Sequence, residues 1–237
     1  MASETRTDGL SLDKPLPLDL HPNIDHLVME DDAPVDNIYS EKQQRLLIES
    51  LHSSWQRRDA APFVAFANVG LFYKLHGTPY VTDAMLSLDV DLPENIWIKQ
   101  HRSYLVWEFG KPPEVVIEIV SNREGGEGDS KLKGYAQIGV KFYVIHDPEC
   151  QLSDQILRAF KLDGSEYRQL GAPVYFEGIG LGLQLWEGMY ENRHDTWLRW
   201  HDEHGRLIPT GAERAETAEQ RSRRLEEQLR RVGIEPE

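Results

Sequence analysis

Residues 114–120 read EVVIEIV, and residues 128–148 read GDSKLKGYAQIGVKFYVIHDP. The first run follows Pro112 and Pro113 and is short, apolar and β-branched, which predicts a strand. Its alternation puts Val116, Glu118 and Val120 on one face and Val115, Ile117 and Ile119 on the other, so both faces are apolar and the strand is expected to be buried. A Gly-rich loop, SNREGGEGDS, leads to Leu132, Tyr135, Ala136 and Gly139 at helical spacing, and then to the apolar run VKFYVIHDP. Strand, helix, strand at this separation predicts a parallel βαβ crossover and an α/β fold.

Upstream, QQRLLIESLHSSW carries Leu47, Leu51 and Trp55 on one helical stripe, and Ser40 with Gln43 is expected to form the capping box that starts this helix. PFVAFANVGLFYKL and PYVTDAMLSLDV then read as two strands joined by a turn near His76 to Pro79. Downstream, LRAFKLDGSEYRQL reads as a hairpin across Asp163 and Gly164, and residues 151–190 are expected to extend or flank the sheet. Thr210 and Glu213 form a second capping box. Beyond it Ala215, Ala218, Ser222, Leu225, Leu229 and Val232 recur at alternating spacings of three and four, a short coiled-coil-like seam ending at Gly233. The seam fits docking on its own domain and pairing with a second subunit equally well, which leaves a homodimer through the C-terminal helix open. The expected organisation is an acidic N-terminal arm (1–39), a central domain (40–192) and a C-terminal extension with an amphipathic helix (193–237).

The 237 residues carry 26 basic and 40 acidic side chains, a net charge of −14 that argues against a general electrostatic grip on nucleic acid or anionic membrane. Much of that charge is local, because residues 1–41 hold ten acids and two bases. The middle of the chain is nearly balanced, and a locally basic cleft is compatible with it. One cysteine, Cys150, excludes an internal disulfide and a Cys-rich zinc cluster. The N-terminus has no basic and apolar regions of a signal peptide, and no apolar run reaches membrane-span length, so a cytoplasmic protein is expected.

An isolated carboxylate buried in VVIEIV would cost several kcal/mol. Glu118 must therefore be protonated, paired with a Lys or Arg, or bound to a metal. Asp83 poses the same problem in YVTDAML, where it is expected to share a face with Val81 and Met85. With Lys131 and Lys133 at the start of the following helix, two carboxylates and an ammonium form a constellation suited to a hard divalent ion and a charged reaction centre. Competing constellations are weaker. GGEGDSK lacks the Gly-Lys-Ser/Thr order of a phosphate loop, the nine His residues have no zinc spacing, and Ser121 has no nucleophile elbow around it. His146 beside Asp147 is expected to cap a turn. Arg102, Tyr104 and Trp107, with Lys99 and Lys111, fit either a basic and aromatic rim for DNA or ordinary core packing around a solvated Arg.

VTDAMLSL, PPEVVIEIVS, GDSKLKGYAQIGVKFYVIHDP, GRLIPTGAE and the ending LRRVGIEPE, in this order over roughly residues 40–235, together resemble the Uma2-like restriction-endonuclease family of the PD-(D/E)XK nuclease superfamily. The resemblance implies a restriction-endonuclease-like core, a three- to five-stranded mixed β-sheet flanked by helices, and a Mg²⁺-dependent phosphodiesterase site acting on DNA, with Mn²⁺ able to substitute. It implies that Asp83 and Glu118 hold the metal, with the Ile119 carbonyl as a further ligand, and that Lys131, in the K-x-x-x-Y pattern with Tyr135, is the catalytic lysine. Glu41 is a candidate for an extra helix acid, against its simpler role as a first-turn residue favoured by the helix dipole. Two positions depart from the pattern: Thr82, where the family usually has Pro, and Val120, where the parent motif has its Lys. The alternative functions are a non-catalytic nuclease fold acting in DNA binding or self-assembly, and a small-molecule hydrolase using the same acids.

Overall fold

The structure, a computed structural model, describes residue 16 and residues 20–27, 37–121 and 126–231. Most of the acidic arm, part of the Gly-rich loop, Val232 and Gly233 lie outside the described residues. The expected βαβ unit is present. β4 (Val115–Ile119) and β5 (Phe142–His146) are parallel neighbours, joined through α3 (Ser130–Ile138). Gly139 ends α3 in the left-handed region at φ 91°, a conformation that glycine adopts without Cβ strain.

Around this unit the sheet grows to seven strands in the order β3-β1-β2-β4-β5-β6-β7. β1 (Phe63–Phe72) and β2 (Tyr80–Leu88) form the expected antiparallel hairpin, and β3 (Tyr104–Leu105) runs parallel to β1 at the edge. β6 (Leu157–Asp163) and β7 (Glu166–Gln169) are the hairpin across Asp163 and Gly164. The sheet is thus mixed, consistent with a restriction-endonuclease-like fold, but wider than the expected three to five strands. A separate three-stranded sheet follows, from β8 (Val174–Phe176), β9 (Leu181–Tyr190) and β10 (Arg193–Asp202), in the order β10-β9-β8.

The two faces of the main sheet bury different partners. On one, Ala84, Val115, Ile117 and Val144 pack with Leu47 and Leu51 of α1 (Ile38–Ser54) and with Leu183, Leu198 and Trp200 of the small sheet. On the other, Met85, Val116, Tyr143 and Ile145 pack with Tyr135 of α3 and with Phe109 of α2 (Val106–Phe109). A satellite cluster joins Ile24 and Leu27 to Phe72 and Leu105, so residues 20–27 are docked on the domain.

Several sequence expectations need correction. α1 begins at Ile38, and its cap is Asn37, whose side chain accepts from the Ser40 amide. Ser40 is buried, and Gln43 instead exchanges two hydrogen bonds with the backbone of Leu198, adding a side-chain rung beside β10. Val81 does not share the buried face of Met85: it is half exposed, and Tyr80 packs on that side in its place. The switch coincides with Asn68, which takes φ 53° in the middle of β1. Phe66 and Val69, three positions apart, consequently pack on the same face. His146 is a core residue and does not cap a turn; Asp147 does so, accepting from the amides of Gln151 and Leu152. Tyr104 is fully buried, Lys111 pairs with Glu114, and Trp107 packs in the satellite cluster, so these residues follow the packing alternative and not an open rim.

After the Thr210 and Glu213 capping box, which forms in both directions, α4 (Gly211–Arg231) leaves the domain as an exposed helix. No helix among the described residues is long and apolar enough to cross a membrane.

Candidate active site

β2 and β4 are antiparallel, with Met85 opposite Val116 and Ala84 opposite Ile117. The next step of that register sets Asp83 opposite Glu118, where the backbone ladder between these strands ends. There the Ile119 amide donates to Oδ2 of Asp83 at 2.6 Å. A carboxylate thus takes the place of a backbone acceptor as the two strands part. Oδ1 of Asp83 accepts from Nε2 of Gln44 at 2.8 Å, which ties α1 to the same point.

Glu118 is 1% exposed, and both of its oxygens are held. Oε1 accepts from the Tyr135 hydroxyl at 2.5 Å and Oε2 from the Lys131 ammonium at 2.9 Å. Lys131 and Tyr135 are four residues apart on α3 and so share a helix face, whereas Lys133 is rotated away by about 200° and is exposed. The geometry therefore brings Lys131, and not Lys133, to the acids. Lys131 also donates to Oε1 of Glu127 at 3.1 Å. Glu127 is buried, its Oε2 has no hydrogen-bond partner among the described residues, and its backbone carbonyl accepts from the Tyr143 hydroxyl.

Burial pushes the Glu118 carboxyl above its usual range, against the opposing pull of Lys131 and Tyr135. Burial works against the charge of Lys131, but the carboxylates of Glu118 and Glu127 outweigh it and hold the ammonium protonated well above neutrality. Tyr135 is raised by burial and by the Glu118 charge, so it remains a proton donor to that carboxylate. The packing leaves no slack behind α3: a Cβ on Gly134 would stand 1.9 Å from the Tyr80 hydroxyl, and the Tyr80 ring packs 4.9 Å from that of Tyr135.

Glu41 is not drawn in. It is exposed and pairs with Arg45 at 2.8 Å, the behaviour of a solvated first-turn acid. Gln44, one turn further along α1, is the residue that reaches Asp83, and neither it nor Glu127 was singled out by the sequence. The four-residue spacing of Glu127 and Lys131 was the one available signal for the latter.

Among the described residues no three His, Cys, Asp or Glu side chains converge as a ready metal-ligand set. Mg²⁺, however, typically takes only one or two protein carboxylates and fills its remaining positions with water and phosphate. Asp83 and Glu118 on adjacent strands, with Glu127 beside Lys131, are the acids that such a hard cation would use, and all four oxygens of Asp83 and Glu118 accept protein hydrogen bonds in this structure.

The sequence model of the Uma2 family, described as "Putative restriction endonuclease", matches residues 29–179. The chain belongs to the Uma2 family. The Uma2 match takes in β1 to β8, and with them Asp83, Glu118 and Lys131, while β9, β10 and α4 lie beyond it. No curated protein and no solved structure matches the chain significantly.

Proposed function

We propose that this Uma2 protein is a cytoplasmic, metal-dependent endonuclease that hydrolyses phosphodiester bonds in DNA, using Mg²⁺, for which Mn²⁺ can substitute. The observation that carries the reading is the buried meeting of Glu118 and Lys131 across the strand end from Asp83. A structural ion pair would need neither a second acid on the neighbouring strand nor the third carboxylate of Glu127.

In this reading Asp83 and Glu118 hold the ion. When bound, the dication neutralises charge on a phosphate and makes a water more acidic. The Ile119 amide and Gln44 fix the orientation of the Asp83 carboxylate, and the Tyr135 hydroxyl does the same for Glu118. Lys131 retains 22% of its side-chain exposure and stays protonated, so its ammonium is available to stabilise negative charge developing on the phosphate. Thr82 and Val120 do not weaken this assignment, because the carboxylate of Asp83 and the ammonium supplied from α3 are the groups that the chemistry uses.

The test is cleavage of plasmid and short duplex DNA across a Mg²⁺ and Mn²⁺ titration, with Asp83→Asn, Glu118→Gln and Lys131→Ala proteins purified identically. Activity in the parent that all three variants lose is the expected result. Equal activity in all four proteins, or none in the parent, would overturn the catalytic role.

A second reading, a nuclease fold retained for DNA binding or assembly, is favoured by one feature: both Glu118 oxygens already accept protein donors. DNA binding by the parent that is unchanged by EDTA, with no cleavage, would select it.

A further inference from the structure

We propose that α4 is the docking surface for a second copy of this chain, and that the two α4 helices pair in parallel and in register. This inference does not rest on the nuclease reading.

α4 is tied to its own domain only near its start. The Gly211 amide donates to Glu49, Arg214 to the Ser53 carbonyl, and the buried Arg199 guanidinium to both oxygens of Glu213. From Ala215 onward, among the described residues, the helix contributes only hydrogen bonds and ion pairs within itself, such as Glu219 with Arg223 and Glu226 with Arg230. Leu225 and Leu229 are 51% and 37% exposed on this otherwise polar helix. The described part of the seam, Ala215, Ala218, Ser222, Leu225 and Leu229, is therefore not covered by its own domain.

The flanking charges determine the occupant and its direction. With Ala215, Ser222 and Leu229 at the first core position of each heptad and Ala218 and Leu225 at the fourth, Arg214 and Arg221 precede the core, and Glu219 and Glu226 follow its fourth position. In a parallel pair of identical helices, Arg221 of each copy meets Glu226 of the other; Arg214 stands in the same relation to Glu219, but it already donates to the Ser53 carbonyl of its own domain. In an antiparallel pair, arginines would face arginines and glutamates would face glutamates. Arg221 makes no ion pair among the described residues, so its guanidinium is available for this contact. Small residues near the domain and leucines further out let the helices approach closely at their base and bury apolar surface beyond it. The arrangement would hold both domains, and both candidate sites, at the same end of the pair.

Sedimentation equilibrium of the full chain tests the proposal. The parent is expected to dimerise with rising concentration. Arg221→Glu or Glu226→Arg alone turns two symmetry-related attractions into repulsions and should weaken association roughly tenfold, while the double swap should restore it. Helical content by circular dichroism controls for loss of α4. In a Cys150→Ser chain, Leu225→Cys should give a disulfide dimer under mild oxidation and Glu227→Cys, on the outer face, should not. A chain that stays monomeric at about 0.5 mM would overturn the proposal. So would a dimer indifferent to both single swaps, or a double swap weaker than either single one.

Discussion

The Lys131 ammonium lies 2.9 Å from Oε2 of Glu118, so the first turn of α3 is fastened to the centre of the sheet by a pair whose acid is almost wholly out of water. Removing the cation leaves that carboxylate without its counter-charge, a change that costs about 3–5 kcal/mol when both partners are buried. Lys131 keeps some solvent contact, so Lys131→Met is expected to cost about 2 kcal/mol at pH 7. Burial already raises the Glu118 carboxyl, and loss of Lys131 raises it further. The penalty should therefore shrink as pH falls and Glu118 takes up a proton. Urea unfolding of parent and variant between pH 5 and 8 checks the sign; a penalty that grows toward low pH would contradict it.

His146 supplies a second pH dependence, one strand over from the candidate site, where it stands opposite Ile119 in the β4–β5 register. Its ring is buried, and burial lowers it from 6.5 to about 4 despite opposing contributions from the Ile156 backbone and Asp147. The Tyr39 hydroxyl donates to the Thr196 carbonyl, which leaves its oxygen to accept from Nε2 of His146 at 2.8 Å. Between pH 6.5 and 4 the unfolded chain binds a proton that the folded chain refuses, so stability is present above that window and is lost as pH falls through it. His146 alone should account for at most about 3 kcal/mol of that loss. His146→Gln should flatten the curve of unfolding free energy against pH in this window, and unchanged curvature would show that other groups carry the acid sensitivity.

Asn68 takes φ 53° in β1, and the β1–β2 register sets it opposite Asp83. Asparagine tolerates this left-handed conformation better than most side chains, and a β-branched residue tolerates it poorly. Asn68→Gly should leave stability within about 0.5 kcal/mol, whereas Asn68→Val should cost about 1–2 kcal/mol. If the conformation of β1 positions Asp83, the Val variant will also lose metal-dependent cleavage while the Gly variant keeps it. Equal stability of the two variants, measured by thermal unfolding, would show that the strand relaxes freely.

The βαβ unit was legible because its strands are apolar on both faces and its helix spacing is clear between Gly-rich and Gly punctuation. Asp83 and Glu118 were legible for a different reason: an acid inside an apolar run demands compensation wherever the chain folds. What compensates it was only partly legible. The family pattern ranks Lys131 above Lys133, but the residues alone leave the two open until Tyr135 fixes which face of α3 meets the sheet. Gln44 reads as an ordinary polar helix residue, and its bond to Asp83 depends on how α1 lies across β2, which local sequence does not encode. The helix start was misplaced by competition between two good capping residues, since Ser40 could cap but is buried and Gln43 is used on β10. Strands flanking the sheet were expected over residues 151–190, but not their assembly with β10 into a separate sheet, because the pairing of β9 with β8 and β10 is set by tertiary contacts.

The base of α4 gives the last prediction. Arg199 is 2% exposed and donates Nη1 and Nη2 to Glu213 at 2.8 and 2.6 Å, with a further bond from Nη2 to the Ile208 carbonyl. Its guanidinium also lies 4.7 Å over the Trp186 ring. Burial raises the Glu213 carboxyl, but hydrogen bonds from Arg199 and the Thr210 amide outweigh it and leave the group below its usual range. That contribution to stability is present above the unfolded carboxylate range and is lost as pH falls through the lower, folded value. Glu213→Ala removes the counter-charge of a buried cation and one half of the capping box together, and should cost about 3 kcal/mol. Arg199→Met in the same chain removes the stranded cation, so the double variant should be more stable than Glu213→Ala alone. A double-mutant cycle by urea unfolding measures this difference, and strictly additive losses would mean that the two side chains do not depend on one another.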